Sequence, residues 1–209
     1  MYARVAMDSD EAMFAAWRAG DARAGAELFE RHYAGIARFF RNKVDADAPD
    51  LIQKTFLGCL ESRERVRGDS SFRTYLFAVA HHVLYKHLRT RSRALIDFGV
   101  TSIHDLRPTA TALLARRAEE QALLQALRRI PLEHQVTLEL YFWDSFTARE
   151  IAEIQGVPEG TVRTRLRRAK LLLVDALAQV AESPTVLHET VSNLDAWASS
   201  VRAQIAGRP

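Results

Sequence analysis

Cysteine, glycine and proline are all scarce in this 209-residue sequence, which has one cysteine, nine glycines and six prolines. A single cysteine excludes an intrachain disulfide framework and a zinc site built from several thiolates. Cys59 lies in the apolar run TFLGCL, which is typical of a small buried side chain. The N-terminus has no apolar core of signal-peptide length, and no stretch approaches the ~20 apolar residues of a membrane helix. We therefore expect a cytoplasmic protein without membrane insertion.

The sequence also lacks the short motifs that carry common enzyme chemistry. It has no P-loop, no nucleophile elbow and no H-E-x-x-H pattern. Its seven histidines, which include the adjacent His81 and His82, do not combine with acidic residues at a metal-binding spacing. These absences predict that the protein is not an enzyme and holds no cofactor and no metal.

No segment alternates apolar and polar residues for long enough to indicate a β-sheet, so the fold class predicted is all-α. Apolar residues recur with a helical period through most of the chain. The pattern predicts helices near residues 9–19, 23–42, 49–62, 70–91, 115–129, 132–143, 147–155, 159–180 and 186–205.

Two helical domains are predicted, because 209 residues suit two compact units better than one small module. Periodicity is weakest in 92–114, which contains Gly99, Pro108 and several Ser and Thr residues. The prediction is an N-terminal domain at 1–91, a linker at 92–114, a C-terminal domain at 115–180 and an amphipathic extension at 181–209. The extension's apolar stripe comprises Leu187, Val191, Leu194, Ala198, Val201 and Ile205.

The stretch TAREIAEIQGVPEGTVRTRLRRAK, residues 147–170, combines two helix signals around a turn. Thr147 and Glu150 have the spacing of a capping box. Gly156 suits a left-handed backbone at the end of the first helix, and Pro158 suits the first position of the second. The stretch is therefore predicted to form a helix-turn-helix.

The second of these helices has one apolar side and one basic side. The buried stripe predicted for it comprises Val162, Leu166, Ala169 and Leu173. The opposite side comprises Thr161, Thr164, Arg167 and Arg168, with Arg163, Arg165 and Lys170 beside the stripe. A solvated helix usually interleaves charges of both signs, whereas residues 161–170 contain no acid. This pattern predicts a helix that binds the major groove of DNA.

A second nucleic-acid surface is predicted in the N-terminal half. Acidic residues at positions 45, 47 and 50 cluster around the start of a helix predicted from residue 49, and a long helix follows. The long helix interleaves aromatic and cationic side chains, a composition that suits unstacked bases and phosphates. These side chains are Phe72, Tyr75, Phe77, His81, His82, Tyr85, Lys86, Arg89, Arg91 and Arg93.

These motifs together resemble those of bacterial RNA polymerase sigma factors of the extracytoplasmic-function (ECF) group, in the sigma-70 family. DAPDLIQKTFL resembles the group's acidic motif and the helix after it, and RGDSSFRTYLFAVAHHVLYKHLRTR resembles its promoter-melting helix. LELYFWDSFTAREIAEIQGVPEGTVRTRLRRAK resembles its C-terminal helix-turn-helix. The resemblance covers about residues 25–91 and 115–178. It implies a region 2-like helical bundle and a region 4-like helix-turn-helix that together direct promoter-specific transcription initiation.

The resemblance also implies roles for individual residues. Those expected to face the upstream promoter element are Glu159, Gly160, Thr161, Arg163, Thr164, Arg165, Arg167 and Arg168. Those expected on the opened downstream element are Arg73, Tyr75, His82, Lys86 and Arg89. Asp47, Asp50 and Gln53 are expected to face core RNA polymerase.

The sequence departs from the group's pattern in two places. It has Pro49 and Lys54 where the group usually has acids, and His82 where asparagine is common. The first departure makes the docking surface less negative, and phosphorylation of the neighbouring Thr55 would restore negative charge. The expected partners are core RNA polymerase, promoter DNA, and an anti-sigma factor or a Ser/Thr kinase, with the free protein a monomer.

Two other functions fit parts of the sequence. A stand-alone helix-turn-helix regulator would form a dimer, bind a palindromic site and need no polymerase. A helical adaptor would sequester polymerase or another factor without binding DNA. A sigma factor differs from both because it requires core polymerase and a two-part promoter.

Overall fold

The computed structural model describes residues 9–63, 70–91, 96–106 and 118–180. They divide into two compact units, the first made mainly of residues up to His87 and the second mainly of residues from Leu88 onward. The described helices are α1 (Asp10–Arg18), α2 (Ala22–Val44), α3 (Ala48–Ser62), α4 (Phe72–Arg91), α5 (Ile103–Leu106), α6 (Ala118–Arg129), α7 (Leu132–Phe142), α8 (Ala148–Gln155) and α9 (Glu159–Val180).

The all-α fold class is confirmed, and the helices predicted up to residue 180 are all present within a few residues at each end. The helix predicted at 186–205 lies outside the described residues. None of the described helices has both the length and the apolar composition needed to cross a bilayer.

An aromatic cluster forms the centre of the first unit. The ring of Phe72, the first residue of α4, lies 5.3 Å from Phe14 and 5.8 Å from Trp17, both on α1. It also lies 5.9 Å from Phe29 of α2. Edge-to-face and tilted pairs at these distances add to the stabilisation from burial alone. The start of α4 is thereby fixed to α1 and α2.

Charged side chains also join α1 to α2. Nε2 of His32 lies 2.7 Å from one carboxylate oxygen of Asp10, and Arg31 donates to the other at 3.3 Å. The His32 ring also lies 5.5 Å from that of Phe72, so it belongs to the edge of the aromatic cluster. Burial lowers the pKa of His32, although the hydrogen bond to Asp10 opposes this shift.

The second unit is built around α9. This helix packs against α6 and α7, and Ala169, Leu173 and Leu177 of α9 are buried in a cluster shared with those helices. The cluster continues through Leu123, Leu127 and Leu138 to Trp143. One side of α9 is therefore held in a core, while its other side remains exposed.

Part of the predicted linker is folded onto the second unit. Phe98 and Ile103 are buried, and backbone amides of Leu132 and Glu133 donate to the carbonyls of Thr101 and Phe98 at 3.0 and 3.2 Å. The short helix α5, which the sequence analysis did not predict, starts at a cap formed by Ser102 and Asp105. Hydrogen bonds from Ser102 lower the pKa of the Asp105 carboxyl.

We predict that Gly25→Ala destabilises the first unit. A Cβ at position 25 would lie 2.2 Å from Cδ1 of Trp17, a residue that is 1% exposed and packs against Phe29 and Phe72. Overpacking of this kind costs about 1–3 kcal/mol, more than the up to ~1 kcal/mol gained from helix propensity. Gly35→Ala is the matched control in α2, because its Cβ would make an ordinary 3.4 Å contact with Phe77. Thermal unfolding should show a lower Tm for Gly25→Ala alone, and equal Tm values for both variants would contradict the packing described.

We also predict that His32 contributes to loss of stability in acid. Its folded-state pKa is lowered, so the unfolded chain binds the proton more tightly. The contribution is present above about pH 6.5 and is lost as the pH falls through the folded-state value. Urea unfolding at pH 7.5 and 5.5 should show a smaller loss in His32→Gln than in the wild type. His82→Gln, a control at an exposed position on α4, should retain the wild-type loss.

Candidate nucleic-acid interface

The turn between α8 and α9 is built from local capping interactions. The amide of Thr147 donates to the carboxylate of Glu150 at 2.8 Å, and the amide of Glu150 lies 3.3 Å from the Thr147 hydroxyl oxygen, which confirms the capping box. Gly156 has a φ of +65°, which confirms the left-handed turn. Pro158 is the residue before α9 and not its first helical residue, one position earlier than predicted. Its carbonyl accepts the amides of Thr161 and Val162.

The predicted division of α9 into an apolar and a basic side is confirmed. Val162, Ala169 and Leu173 are buried, and Leu166 is half-buried against the core of the second unit. The exposed side carries arginines and threonine. Because an α-helix turns 100° per residue, burial of the first stripe fixes the direction of the second.

Some basic side chains of α9 have partners among the described residues and others do not. Arg163 donates twice to Glu159, at 2.6 and 3.1 Å, and the Thr164 hydroxyl donates to the carbonyl of Gly160 at 3.0 Å. Within the described part of the chain, Arg167 and Arg168 are exposed and have no hydrogen bond or ion pair. These two guanidinium groups are therefore available to bases or phosphates.

Arg165 has a different environment from its neighbours. Its guanidinium donates to the carboxylate of Glu133, at the start of α7, and both side chains are about four-fifths buried, with 20% and 23% exposure. Arg165 is among the residues predicted to face DNA. No local sequence pattern indicates its partner Glu133, which lies 32 positions earlier.

The exposed face of α4 carries three of the residues predicted to meet opened DNA. His82, Lys86 and Arg89 are exposed and follow one another at intervals of four and three residues, which puts them on one side of the helix. The guanidinium of Arg89 also lies 5.4 Å from the ring centre of Phe98, within the range of a cation–π contact.

The other two predicted residues of α4, Arg73 and Tyr75, are half-buried. The hydroxyl of Tyr75 donates to the carbonyl of Cys59 at 3.1 Å and lies 2.7 Å from the hydroxyl of Ser62. Burial raises the pKa of Tyr75 to about 12. The guanidinium of Arg73 lies 5.8 Å from the ring centre of Phe77. Tyr75 lies seven residues before His82 and so on the same side of α4 as His82, Lys86 and Arg89, but its hydroxyl is engaged by α3. Arg73 lies on the opposite side of the helix.

Each of the predicted polymerase-facing carboxylates lies near a nitrogen-bearing side chain of the same unit. Asp47 has a carboxylate oxygen 3.4 Å from Nε2 of His87 on α4. Asp50 accepts from Lys54 at 2.6 Å, with both side chains 58% exposed. Gln53 is exposed on the same side of α3 as Asp50. Lys54 thus offsets the charge of Asp50 on the predicted acidic surface.

Sequence reasoning missed an apolar surface beside these residues. Leu57 and Leu60 of α3 are 48% and 49% exposed, and with Gln53 they follow a helical interval of three and four residues. Tyr33 of α2 is 49% exposed and stacks on Phe56 at 6.2 Å. We call Gln53, Leu57 and Leu60 the α3 patch. The spacing was visible in the sequence, but leucines at such intervals ordinarily indicate a buried face.

The structure argues against the predicted phosphorylation site at Thr55. The Thr55 side chain is fully buried and its hydroxyl donates to the carbonyl of Leu51 at 2.8 Å. A kinase could reach this hydroxyl only if α3 separated from its neighbours. Cys59, one turn later, is also fully buried, and burial raises its pKa to about 12, which leaves the thiol protonated and unreactive.

Comparison with known proteins accounts for both units. The family model for Sigma-70 region 2 matches residues 27–94, and that for Sigma-70 region 4 matches residues 120–173, which together make up more than half of the chain. The first match contains α3 and α4, and the second contains α8 and most of α9.

Individual proteins are similar over the same range. The RNA polymerase sigma factor YlaC of Bacillus subtilis is 29% identical over 167 residues, covering 77% of this chain and 95% of its own. The ECF RNA polymerase sigma-E factor of Haemophilus influenzae is 25% identical over 178 residues, covering 79% and 93%. The solved structure of CnrH, in complex with the cytosolic domain of CnrY, has a TM-score of 0.63 at 22% identity and covers 84% of this chain and all of that one.

The models for region 2 and region 4 match in that order along the chain. The two relatives match over 95% and 93% of their own length. The chain therefore belongs to the sigma-70 family as a sigma factor of the ECF type, a non-enzymatic subunit that directs RNA polymerase to promoters and initiates transcription.

Proposed function

We propose that α9 binds the upstream promoter element as duplex DNA through its exposed basic side. The observation that carries this proposal is the pair of adjacent exposed arginines, Arg167 and Arg168, opposite a stripe that is buried in the core. Arginine forks match guanine edges and phosphates in the major groove, and a helix of this width fits that groove.

The start of α9 supports the same proposal. Gly160 and Thr161 lie in the first turn, where the helix dipole favours a phosphate. Arg163 is engaged by Glu159, but its side chain is 73% exposed, and such a surface pair contributes only about 0–1 kcal/mol. Arg163 can therefore exchange Glu159 for a phosphate, and Thr164 lies exposed beside it.

For the opened downstream element, we propose the face of α4 that carries His82, Lys86 and Arg89. These side chains are exposed on one side of the helix, while Leu84 and Leu88 fix the other side in the interior. Cations beside an aromatic or imidazole ring suit the phosphates and bases of a single strand. Tyr75 would act by holding α4 against α3, while contact of Arg73 with the opened element stays a prediction.

For core polymerase, we propose the α3 patch together with Asp50. An exposed apolar surface bordered by charged and amide groups is typical of a protein interface. The two leucines would supply most of the binding energy, because Asp50 must first exchange Lys54 for a polymerase cation. An anti-sigma factor as a further partner stays a prediction.

Run-off transcription tests the proposal as a whole. A genomic promoter library transcribed with core polymerase and the full chain should give discrete transcripts that neither component produces alone. Sequence-specific binding by the free chain as a dimer, with no effect on polymerase, would instead establish a stand-alone regulator.

We predict that Arg167→Ala and Arg168→Ala each weaken promoter binding. Loss of a base contact costs about 1–3 kcal/mol, which corresponds to about 5- to 150-fold in Kd, whereas loss of a phosphate contact costs less. Promoter occupancy by holoenzyme, measured by footprinting, gives the change. Arg129→Ala, which removes the same charge from an exposed site on α6, should behave as wild type. If both α9 variants matched this control, α9 would not be the DNA-binding element.

We also predict that Leu57→Ser with Leu60→Ser weakens binding to core polymerase by about tenfold or more, since central apolar contacts dominate interfaces. Fluorescence anisotropy of the labelled full chain titrated with core polymerase measures this. Both leucines are half-exposed, so thermal unfolding should change little. Val100→Ser is the control, because Val100 is 71% exposed and lies in the other unit. A double variant that binds polymerase with wild-type affinity would show that the α3 patch is not the interface.

A further inference from the structure

Glu133 joins three segments of the second unit. As the second residue of α7, it uses its backbone amide to donate to the carbonyl of Phe98, which belongs to the folded segment before α5. Its carboxylate accepts from Arg165 of α9 at 2.5 Å. One residue thus ties the start of α7 to the 96–106 segment through its main chain and to the DNA-binding helix through its side chain.

The ion pair between Glu133 and Arg165 is more enclosed than the pair between Arg163 and Glu159. Its side chains are 20% and 23% exposed, whereas those of Arg163 and Glu159 are 73% and 39% exposed. Water screens an enclosed pair less, and removal of one partner leaves the other charge without compensation in a partly buried site. Arg165 is therefore held more firmly than Arg163.

The pair also lies close to the DNA-binding arginines. Arg165 and Arg168 are three residues apart, so they are neighbours on adjacent turns of α9. The pKa of His134, next to Glu133, responds to groups on both helices. Burial lowers this pKa, the carboxylate of Glu133 raises it, and Arg165 and Arg168 lower it. The start of α7 and the basic side of α9 are thus within electrostatic range of each other.

We propose that Glu133 is a positioning residue for promoter recognition, which holds Arg165 so that this arginine sets the rotation of α9 instead of contacting DNA. This inference rests on the proposed function of α9 and assigns Arg165 a different role from Arg167 and Arg168. A helix anchored only by its apolar stripe can rotate slightly about its axis within its groove. A directed contact outside the stripe limits that rotation, and the guanidinium groups of Arg167 and Arg168 keep their position relative to the base edges.

The first test uses the free full-length chain and an arbitrary duplex, so it does not depend on the proposed promoter function. The logarithm of affinity is measured against the logarithm of salt concentration. Each lost phosphate contact lowers the slope by about 1. We expect Arg168→Ala to lower it by this amount and Arg165→Ala to leave it unchanged. An equal decrease in both would overturn the proposal, because Arg165 would then contact DNA.

The second test uses holoenzyme on a duplex selected from a randomised library by wild-type holoenzyme. Glu133→Gln removes no positive charge, yet we expect it to weaken promoter occupancy by about tenfold, as does Arg165→Ala, within the range of coupled neighbouring side chains. If Arg165 contacted DNA instead, Glu133→Gln would leave occupancy unchanged or raise it, since Arg165 would be released. That result would overturn the proposal.

A charge exchange makes the test specific to positioning. Arg165→Glu alone should abolish specific binding, and adding Glu133→Arg should restore it to within about fivefold of wild type, because the pair is re-formed in reverse. A DNA-contacting residue at 165 could not be rescued in this way, because glutamate repels phosphate. Failure of rescue in a variant with native circular dichroism would count against the proposal, and if the exchanged variant does not fold, the Glu133→Gln result decides. If wild-type holoenzyme selects no duplex, the proposed function fails, and the salt slope of the free chain still decides the role of Arg165.

Discussion

The burial of one stripe of α9 is the constraint on which the functional surface depends. Val162, Ala169 and Leu173 enter a core supplied by α6 and α7, and their removal from water contributes about 25 cal/mol per Å² of apolar surface. Helical geometry then decides which residues face outward. The cap at Pro158 and the left-handed turn at Gly156 set where that helix begins, so the turn and the core together aim the basic side.

Local patterns were sufficient to predict most of the helices and the local geometry of α8, the turn and α9. The capping box of Thr147 and Glu150, the turn at Gly156 and the two sides of α9 depend on residues within a few positions of each other, and the structure confirms them. The cap between Ser102 and Asp105 has the same local form and could have indicated α5. The weak periodicity around it favoured a linker instead.

Interactions between distant residues account for what the sequence did not show. Local sequence pattern does not distinguish Arg165 from Arg163. Only the packing of α7 against α9 brings Glu133 to Arg165 and leaves Arg163 with Glu159. An aromatic ring such as that of Tyr75 is suited to stacking on bases, but residues of α3 supply hydrogen-bond partners for its hydroxyl. The burial of Thr55 and the exposure of Leu57, two residues later, likewise depend on where α3 meets its neighbours, which periodicity does not specify.

The positions of the charged side chains matter more in this protein than its net charge. The sequence carries 29 basic and 26 acidic residues, an excess too small to bind DNA strongly by itself. Several cations are already engaged: Lys54 with Asp50, Arg163 with Glu159, and Arg165 with Glu133. Each engaged pair lowers the protein's attraction to phosphate at large, while Arg167 and Arg168 retain their full charge at one place. Under the proposed role of α9, promoter binding depends on the geometry of this helix more than on the net charge of the chain, as selection between promoters requires.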